Sequence, residues 1–234
     1  MSRARRLARM PKRLIGAAFA IVLVVLVAPY GLVFLYARPS VHPVSTLMLS
    51  DLATGTGYTR DWVAFERIAP VLVQSVMMSE DGRFCAHEGV DWKALDTVID
   101  GTMDGATNRG ASTIPMQTAK NLFLWPSHSY VRKGLEIPLA LYSDAVWSKR
   151  RLMEIYLNIA EFAPHLYGVE AAARHYFGTD AAHLTRRQAA LLAVTLPNPP
   201  GRDPAHPSRM LQRLARTIET RARQSGAYIT CLYP

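Results

Sequence analysis

The stretch LIGAAFAIVLVVLVAPYGLVFLY, from Leu14 to Tyr36, runs for 23 residues without a charged side chain. A helix of that length measures about 34 Å, enough for a hydrocarbon core of about 30 Å with some tilt. Soluble helices rarely stay apolar on every face for so long. A cleaved secretory signal starts with the same order, basic then apolar, but its apolar part is about 7–15 residues and ends at a small-x-small site, and no clear one follows here. The run is therefore predicted to be a transmembrane helix; Pro29 within it is tolerated in membranes.

The charges around this run orient it. Arg3, Arg5, Arg6, Arg9, Lys12 and Arg13 precede it with no acid among them, and only Arg38 follows closely. Positive residues stay on the cytoplasmic side, so residues 1–13 form a cytoplasmic basic segment, 14–36 the span, and 38–234 lie outside. The same six residues remove the apparent nucleic-acid signal. Of 27 basic residues they leave 21 against 18 acidic ones, so the net charge of +9 is mostly topological. Half of the 234 residues are hydrophobic, which suffices for a sizeable core.

Past the span, residues 37–60 (ARPSVHPVSTLMLSDLATGTGYTR) are rich in Pro, Ser, Thr and Gly and read as a linker with an extended entry; residues 61–234 form the folded domain. Pro70 starts a short helix, VLVQSVMM, that delivers Glu80 and Asp81 at its end. DWKALDTVID is a further helix, followed by the loop GTMDGATNRGAST. Residues 131–162 read as helical, with Leu152, Ile155, Tyr156 and Ile159 on one face, and Pro138 is expected to kink or split them. Thr185 and Gln188 form a capping box before AALLAVTL, and Met210, Leu211, Leu214 and Ile218 share a side of a last helix. Strand signal is scarce. The two cysteines, Cys85 and Cys231, make no disulfide framework, and free thiols are the expected state.

Four stretches hold chemistry-bearing residues. In SEDGRFCAHEGVDW, Glu80 and Asp81 sit at a helix C-terminus among apolar residues, where a carboxylate is pushed towards the pKa of a general base; a solvated helix cap is the plainer local reading. In GASTIPMQTAKN, Gly110, Ser112 and Thr113 offer donors, Gln117 an amide and Lys120 a cation suited to phosphate. In RKGLE, Arg132 and Glu136 stand at i, i+4, the spacing of a helix surface pair or of a cation and a carboxylate facing a pyrophosphate. In KRRLMEIYLN, Lys149, Tyr156 and Asn158 are placed to line a site, although the apolar spacing assigns most of that helix to the core.

Taken in order, these four stretches resemble the successive motifs of the peptidoglycan glycosyltransferases of glycosyltransferase family 51. GVEAAARHYFG and LTRRQAALLAVTLPNPP resemble that family's C-terminal region, so the likeness spans about residues 60–215. It implies a mainly α (α+β), lysozyme-like glycosyltransferase domain with a small β element, held by one N-terminal transmembrane helix. It implies polymerisation of lipid II into glycan strands with inversion and release of undecaprenyl pyrophosphate, for cell wall biogenesis and cell shape. Glu80 would be the catalytic base and Glu136 a second catalytic acid that orients cations. Asp81, Phe84 and His87 would support Glu80. Ser112, Thr113, Gln117, Lys120 and Asn121 would bind substrate and pyrophosphate, with Arg132, Lys133, Lys149, Tyr156 and Asn158. Glu80 and Glu136 should stand too far apart to touch, leaving room for a sugar.

The resemblance calls for no obligatory cofactor and no firm metal site, and leaves room for Mg or Mn at the pyrophosphate. It points to lipid II, the growing lipid-linked glycan, the membrane and other cell-wall synthesis proteins as partners, not nucleic acid. The location implied is the inner membrane, single-pass, with the catalytic domain periplasmic and an apolar patch beside the site dipping into the outer leaflet. Two positions depart from the family pattern. Met116 replaces the first of two adjacent glutamines, and Pro138 falls two residues after Glu136. A lysozyme-like glycan-cleaving enzyme and a non-catalytic cell-wall scaffold are the alternatives. A bifunctional penicillin-binding protein is excluded, because the chain has no S-x-x-K or K-T-G and is too short for a second catalytic domain.

Overall fold

The computed structural model describes residues 12–103, 111–127 and 129–233; most of the basic segment 1–13 and the loop residues 104–110, Gly110 among them, lie outside the described residues. Helix α1 (Lys12–Tyr36) is followed by α2 (Thr46–Ala53), β1 (Thr59–Arg60), α3 (Pro70–Glu80), α4 (Trp92–Met103), α5 (Ile114–Phe123), α6 (Tyr130–Val146) and α7 (Lys149–Ile159). Then come β2 (Glu161–Ala163), β3 (Leu166–Tyr167), α8 (Val169–Phe177), α9 (Arg186–Thr195) and α10 (Arg209–Arg223). The strands form one small sheet of order β1-β3-β2, parallel between β1 and β3 and antiparallel between β3 and β2. The domain is thus mainly helical with a small sheet, as the resemblance implied. Strands of two or three residues carry no readable alternation, which is why Glu161–Ala163 resembles the end of a helix in sequence.

Local chemistry sets the helix ends. Pro70 occupies the first turn of α3, where its missing N–H costs nothing. Thr113, Ser129 and Ser148 cap α5, α6 and α7 by accepting the N–H of Met116, Arg132 and Arg151. The predicted capping box of Thr185 and Gln188 opens α9. The helical stretch 131–162 divides at Trp147 and Ser148, not at Pro138, which lies inside α6. Pro138 and Gly134, whose carbonyl it deprives of a partner, are both exposed, so water satisfies that carbonyl.

The main core is built from α3, α7, α8, α9 and α10, with Phe84, Phe162 and Tyr167 fully enclosed. Helix α7 runs through its middle and is buried on all faces, so Arg151, Glu154 and Asn158 are buried along with its apolar residues. On α10 the buried stripe is Leu211, Ala215, Ile218 and Ala222. Met210 and Leu214, expected on that stripe, face outward, because alanines at 215 and 222 allow the helix to approach α3 and α9 closely. A second, smaller cluster of Val90, Met116, Ala119, Leu124, Leu139 and Ala140 joins α5 to α6.

The segment read as a linker contains α2, capped by Ser45 and tied to α5 by the Thr46 hydroxyl, which donates to the carbonyl of Leu124 at 2.8 Å. The end of α1 is docked equally firmly. Trp147 Nε1 donates to the carbonyl of Val33 at 2.7 Å, and Tyr142 meets Tyr30 and Phe34 edge-on. The buried Arg151 guanidinium donates to the carbonyls of Tyr36, Arg38 and Val41 at 2.9, 2.9 and 2.6 Å and to Glu154 at 3.0 Å. The side chains at 12, 14, 15, 18, 21 and 22 are outside the described residues. Among the described residues no helix is long and apolar enough to cross a membrane.

Cys85 and Cys231 form a disulfide, with Cα atoms 5.6 Å apart across 146 residues of sequence. This corrects the expectation of two free thiols. Two cysteines so far apart in sequence give no sign of pairing until the fold brings the Phe84–Ala86 turn against the C-terminal segment.

Candidate active site

Helix α3 ends at Glu80 because Asp81 leaves the helical conformation (φ −159°, ψ 73°) while its N–H still reaches Met77 at 2.8 Å. The Asp81 carboxylate accepts the N–H of Ile114 at 2.9 Å and His87 Nε2 at 3.0 Å. A carboxylate only accepts here, so Nε2 carries the proton. One buried acid thus joins the end of α3, the start of α5 and the turn between Glu80 and His87. Phe84 is buried inside that turn, under the Lys149 ammonium at 4.7 Å. Gly89 closes the turn with φ +74°; a Cβ there would lie 2.8 Å from the Leu141 Cα, so only glycine lets the chain pack on α6.

Glu80 itself is half-buried beside a cavity of about 260 Å³ that Ser112 and Thr113 also line. Gln117 Nε2 donates to one of its oxygens at 3.1 Å and the Ser79 hydroxyl to the other at 3.2 Å. The Tyr156 hydroxyl donates to Gln117 Oε1 at 3.1 Å, which fixes the amide so that its NH2 faces Glu80. Burial pushes the Glu80 pKa above the ordinary carboxylate value, opposed by Gln117, Ser79, Arg202 and Lys120. Ser79 and Arg202 are additions to the predicted set. Arg202 lies in the proline-rich loop NPPGRDPAHP, which by sequence is only a connector.

One turn along α5 from Gln117, the Lys120 ammonium makes no hydrogen bond or ion pair among the described residues. Burial lowers its pKa, and Glu136, then Glu80, work against that. It opens on a second cavity of about 280 Å³, shared with Arg132, Asn121, Leu47, Leu124 and Trp125. Behind it Glu136 is buried and bound by Arg132 Nη1 and, at 2.6 Å, by Lys133 Nζ. Glu80 and Glu136 have separate hydrogen-bond partners. Gln117 and Lys120 stand at i and i+3 on α5; Gln117 is bonded to Glu80, and Lys120 feels the charge of both acids, Glu136 the more.

Three predicted residues are engaged in the framework. Lys149 Nζ is held at 2.7 Å by both Asp144 and the carbonyl of His87, so it braces the turn. Asn158 is fully buried and exchanges two hydrogen bonds with the backbone of Val63. The Thr113 hydroxyl donates to the carbonyl of Gly89 at 2.6 Å. The Asn121 carbonyl takes the Thr46 hydroxyl at 3.2 Å, and its side chain lines the second cavity. No three His, Cys, Asp or Glu side chains converge on a point among the described residues. Glu136 is committed to two cations.

The Transglycosylase family model matches residues 48–222. A biosynthetic peptidoglycan transglycosylase of Rhizobium meliloti (strain 1021) is 63% identical over 213 residues, covering 91% of this chain and 90% of its own length. Those of Agrobacterium fabrum (61% identical, 90% of this chain and 93% of the relative) and Brucella suis biovar 1 (60%, 93% and 97%) are similar over nearly the same span. With two acids held apart across one polar helix face in a mainly helical domain, the chain belongs to the transglycosylase family, among the peptidoglycan glycosyltransferases.

Proposed function

We propose that this enzyme polymerises lipid II, with Glu80 as the base. Glu80 takes the proton from the acceptor sugar's 4-hydroxyl. That oxygen attacks the anomeric carbon of the lipid-linked donor, the bond from that carbon to the pyrophosphate oxygen breaks, and undecaprenyl pyrophosphate leaves with the electron pair. Configuration at the carbon inverts.

The observation that carries this reading is the α5 face. Gln117 holds a carboxylate of raised pKa, and Lys120 one turn away opens on a cavity lined by two cations, Lys120 and Arg132, and by the apolar Leu47, Leu124 and Trp125. A general base works best with a pKa near the operating pH. A departing pyrophosphate needs charge neutralisation more than a proton, and Lys120 and Arg132 stand where it would be supplied. Leu47, Leu124 and Trp125 suit the first isoprene units beyond that charge. A glycan-cleaving enzyme, whose leaving group is neutral, has no use for such a cation cluster. In this scheme Glu136 holds Arg132 and Lys133 in place and does not meet the reacting atoms.

The location follows the same reading. The uncharged run 14–36, continuous as α1, supports a single span with the domain outside the cytoplasm. The disulfide supports the outer side independently, since such bonds persist in oxidising compartments and not in the cytosol.

A polymerisation assay on lipid II tests the function. Glu80→Gln keeps the shape and removes the base, and is expected to lower kcat by at least about a hundredfold, the usual scale of general-base catalysis. Wild-type rates in that variant would refute the mechanism.

A further inference from the structure

Cys85 has no role in the chemistry above, yet it lies in the turn that joins Glu80 to His87. We infer that the Cys85–Cys231 bridge is a positioning device for the catalytic turn, so that the enzyme reaches full activity only when its thiols have been oxidised. The inference rests on the assignment of Glu80 as the base.

The turn is tied to the body by polar contacts at its start, at Arg83 and at its end, and the bridge is its covalent tie. At its start Asp81 takes Ile114 N–H and His87; at its end the His87 carbonyl takes Lys149. Between them Gly82 is exposed, Arg83 Nη1 donates to Asp91 at 3.1 Å, and the buried Phe84 adjoins the bridged Cys85. The other end of the bridge is anchored. Ile229 and Leu232 are buried in the main core, Tyr233 packs on Phe65 with ring centres 5.7 Å apart, and Arg150 Nη1 donates to the carbonyl of Leu232. The segment carrying Cys231 continues from α10, which packs on α3, the helix that ends in Glu80. The bridge therefore closes a ring: α3, the catalytic turn, the disulfide, the C-terminal segment, α10 and back to α3. Opening it leaves His87 and Asp81 attached to a turn with one side undone.

Both cysteines are partly exposed, and reduction by an external dithiol is followed by counting the thiols. The dithiol attacks one sulfur, the Cys85–Cys231 bond breaks, and the reagent leaves as a cyclic disulfide. Two electrons and two protons end on the two cysteines. Reoxidation by a disulfide such as oxidised glutathione reverses the exchange.

The test uses the full chain in detergent with lipid II as substrate, before reduction, after dithiothreitol, and after reoxidation. Alkylation and mass measurement count the thiols. The expected result is a several-fold lower kcat on reduction with KM within about twofold, restored on reoxidation. The double variant Cys85→Ser/Cys231→Ser should be locked at the lower kcat and indifferent to dithiothreitol. Backbone hydrogen exchange on the same samples should quicken at residues 82–88 on reduction while the buried helix α7 stays protected. A reduced protein carrying two alkylated thiols with unchanged kcat and unchanged exchange at 82–88 would overturn the inference. So would a loss confined to melting temperature, which is the mark of a merely structural bridge. Should the oxidised wild type fail to polymerise lipid II, that would count against the proposed function, and the exchange measurement would still decide whether the bridge positions the turn.

Discussion

At the scale of single residues, Glu80 sets the pH response. Its charged form is penalised by burial and supported by Gln117. Gln117→Leu removes that support, so the pKa rises further and the acid limb of kcat/KM moves to higher pH. Rates of lipid II polymerisation across pH check this; an unmoved limb would mean that Gln117 acts elsewhere. The same raised pKa has a consequence for stability. The folded protein holds this proton more tightly than the unfolded chain, so stability is lost as pH climbs from the range of an unfolded glutamate through the folded pKa. Glu80→Gln should therefore melt above the wild type at neutral pH and alongside it in acid, a gain bought at the cost of activity. Met116 explains itself in similar terms. It is fully buried between α5 and α6, pointing away from Glu80. Restoring the family's glutamine with Met116→Gln should lower stability by about 1–3 kcal/mol, the cost of a buried amide without a partner, and leave kcat no higher. Thermal melts and the same assay report both.

At the scale of elements, α5 organises the site and α7 organises the body around it. Helix α5 sends Gln117 to Glu80 and sets Lys120 within the field of both acids, while Met116 and Ala119 pack on α6. Helix α7 contributes Tyr156 to Gln117 at one point and Arg151 to the end of α1 at another. Arg151 is the one connection whose loss reaches furthest. Arg151→Ala would leave the carbonyls of Tyr36, Arg38 and Val41 without their donor and strand Glu154 as a buried acid. A broken buried pair costs about 3–5 kcal/mol. The expected outcome is a lower melting temperature together with protease cleavage between residues 37 and 43, read by mass spectrometry; a variant that resists cleavage there would show that Trp147 and the aromatic contacts of α1 suffice.

At the scale of the whole molecule, the disulfide joins the turn after α3 to the C-terminal segment. Closing a ring of 146 residues is worth roughly 2–5 kcal/mol, on a chain-entropy account of the unfolded state. For a domain of this size reduction should lower the melting temperature by on the order of 10 °C, measurable by calorimetry with and without dithiothreitol. The docked end of α1 has a matching effect. Under the proposed topology the span and the catalytic domain move as one piece, which keeps Glu80 at a constant height above a lipid-held substrate.

The local signals in the sequence were enough for the helices with strong caps and periodic faces: Pro70 opened α3, the capping box opened α9, and the ordered motifs placed Glu80, Gln117, Lys120 and Glu136 in one family's pattern. These are short-range properties, carried within a turn or two of chain. What needed the tertiary structure was everything that depends on which face meets which. Lys149 and Asn158 look like site residues by type, and only their long-range partners, His87 with Asp144 and the backbone of Val63, show that they also brace the framework. Ser79 and Arg202 carried no local signal at all. Pro138 suggested a break that exposure to water made unnecessary, and the strands were too short to alternate. The pairing of Cys85 with Cys231 was likewise decided by packing, because a bond across 146 residues depends on where the core folds the chain back and not on anything written beside either cysteine.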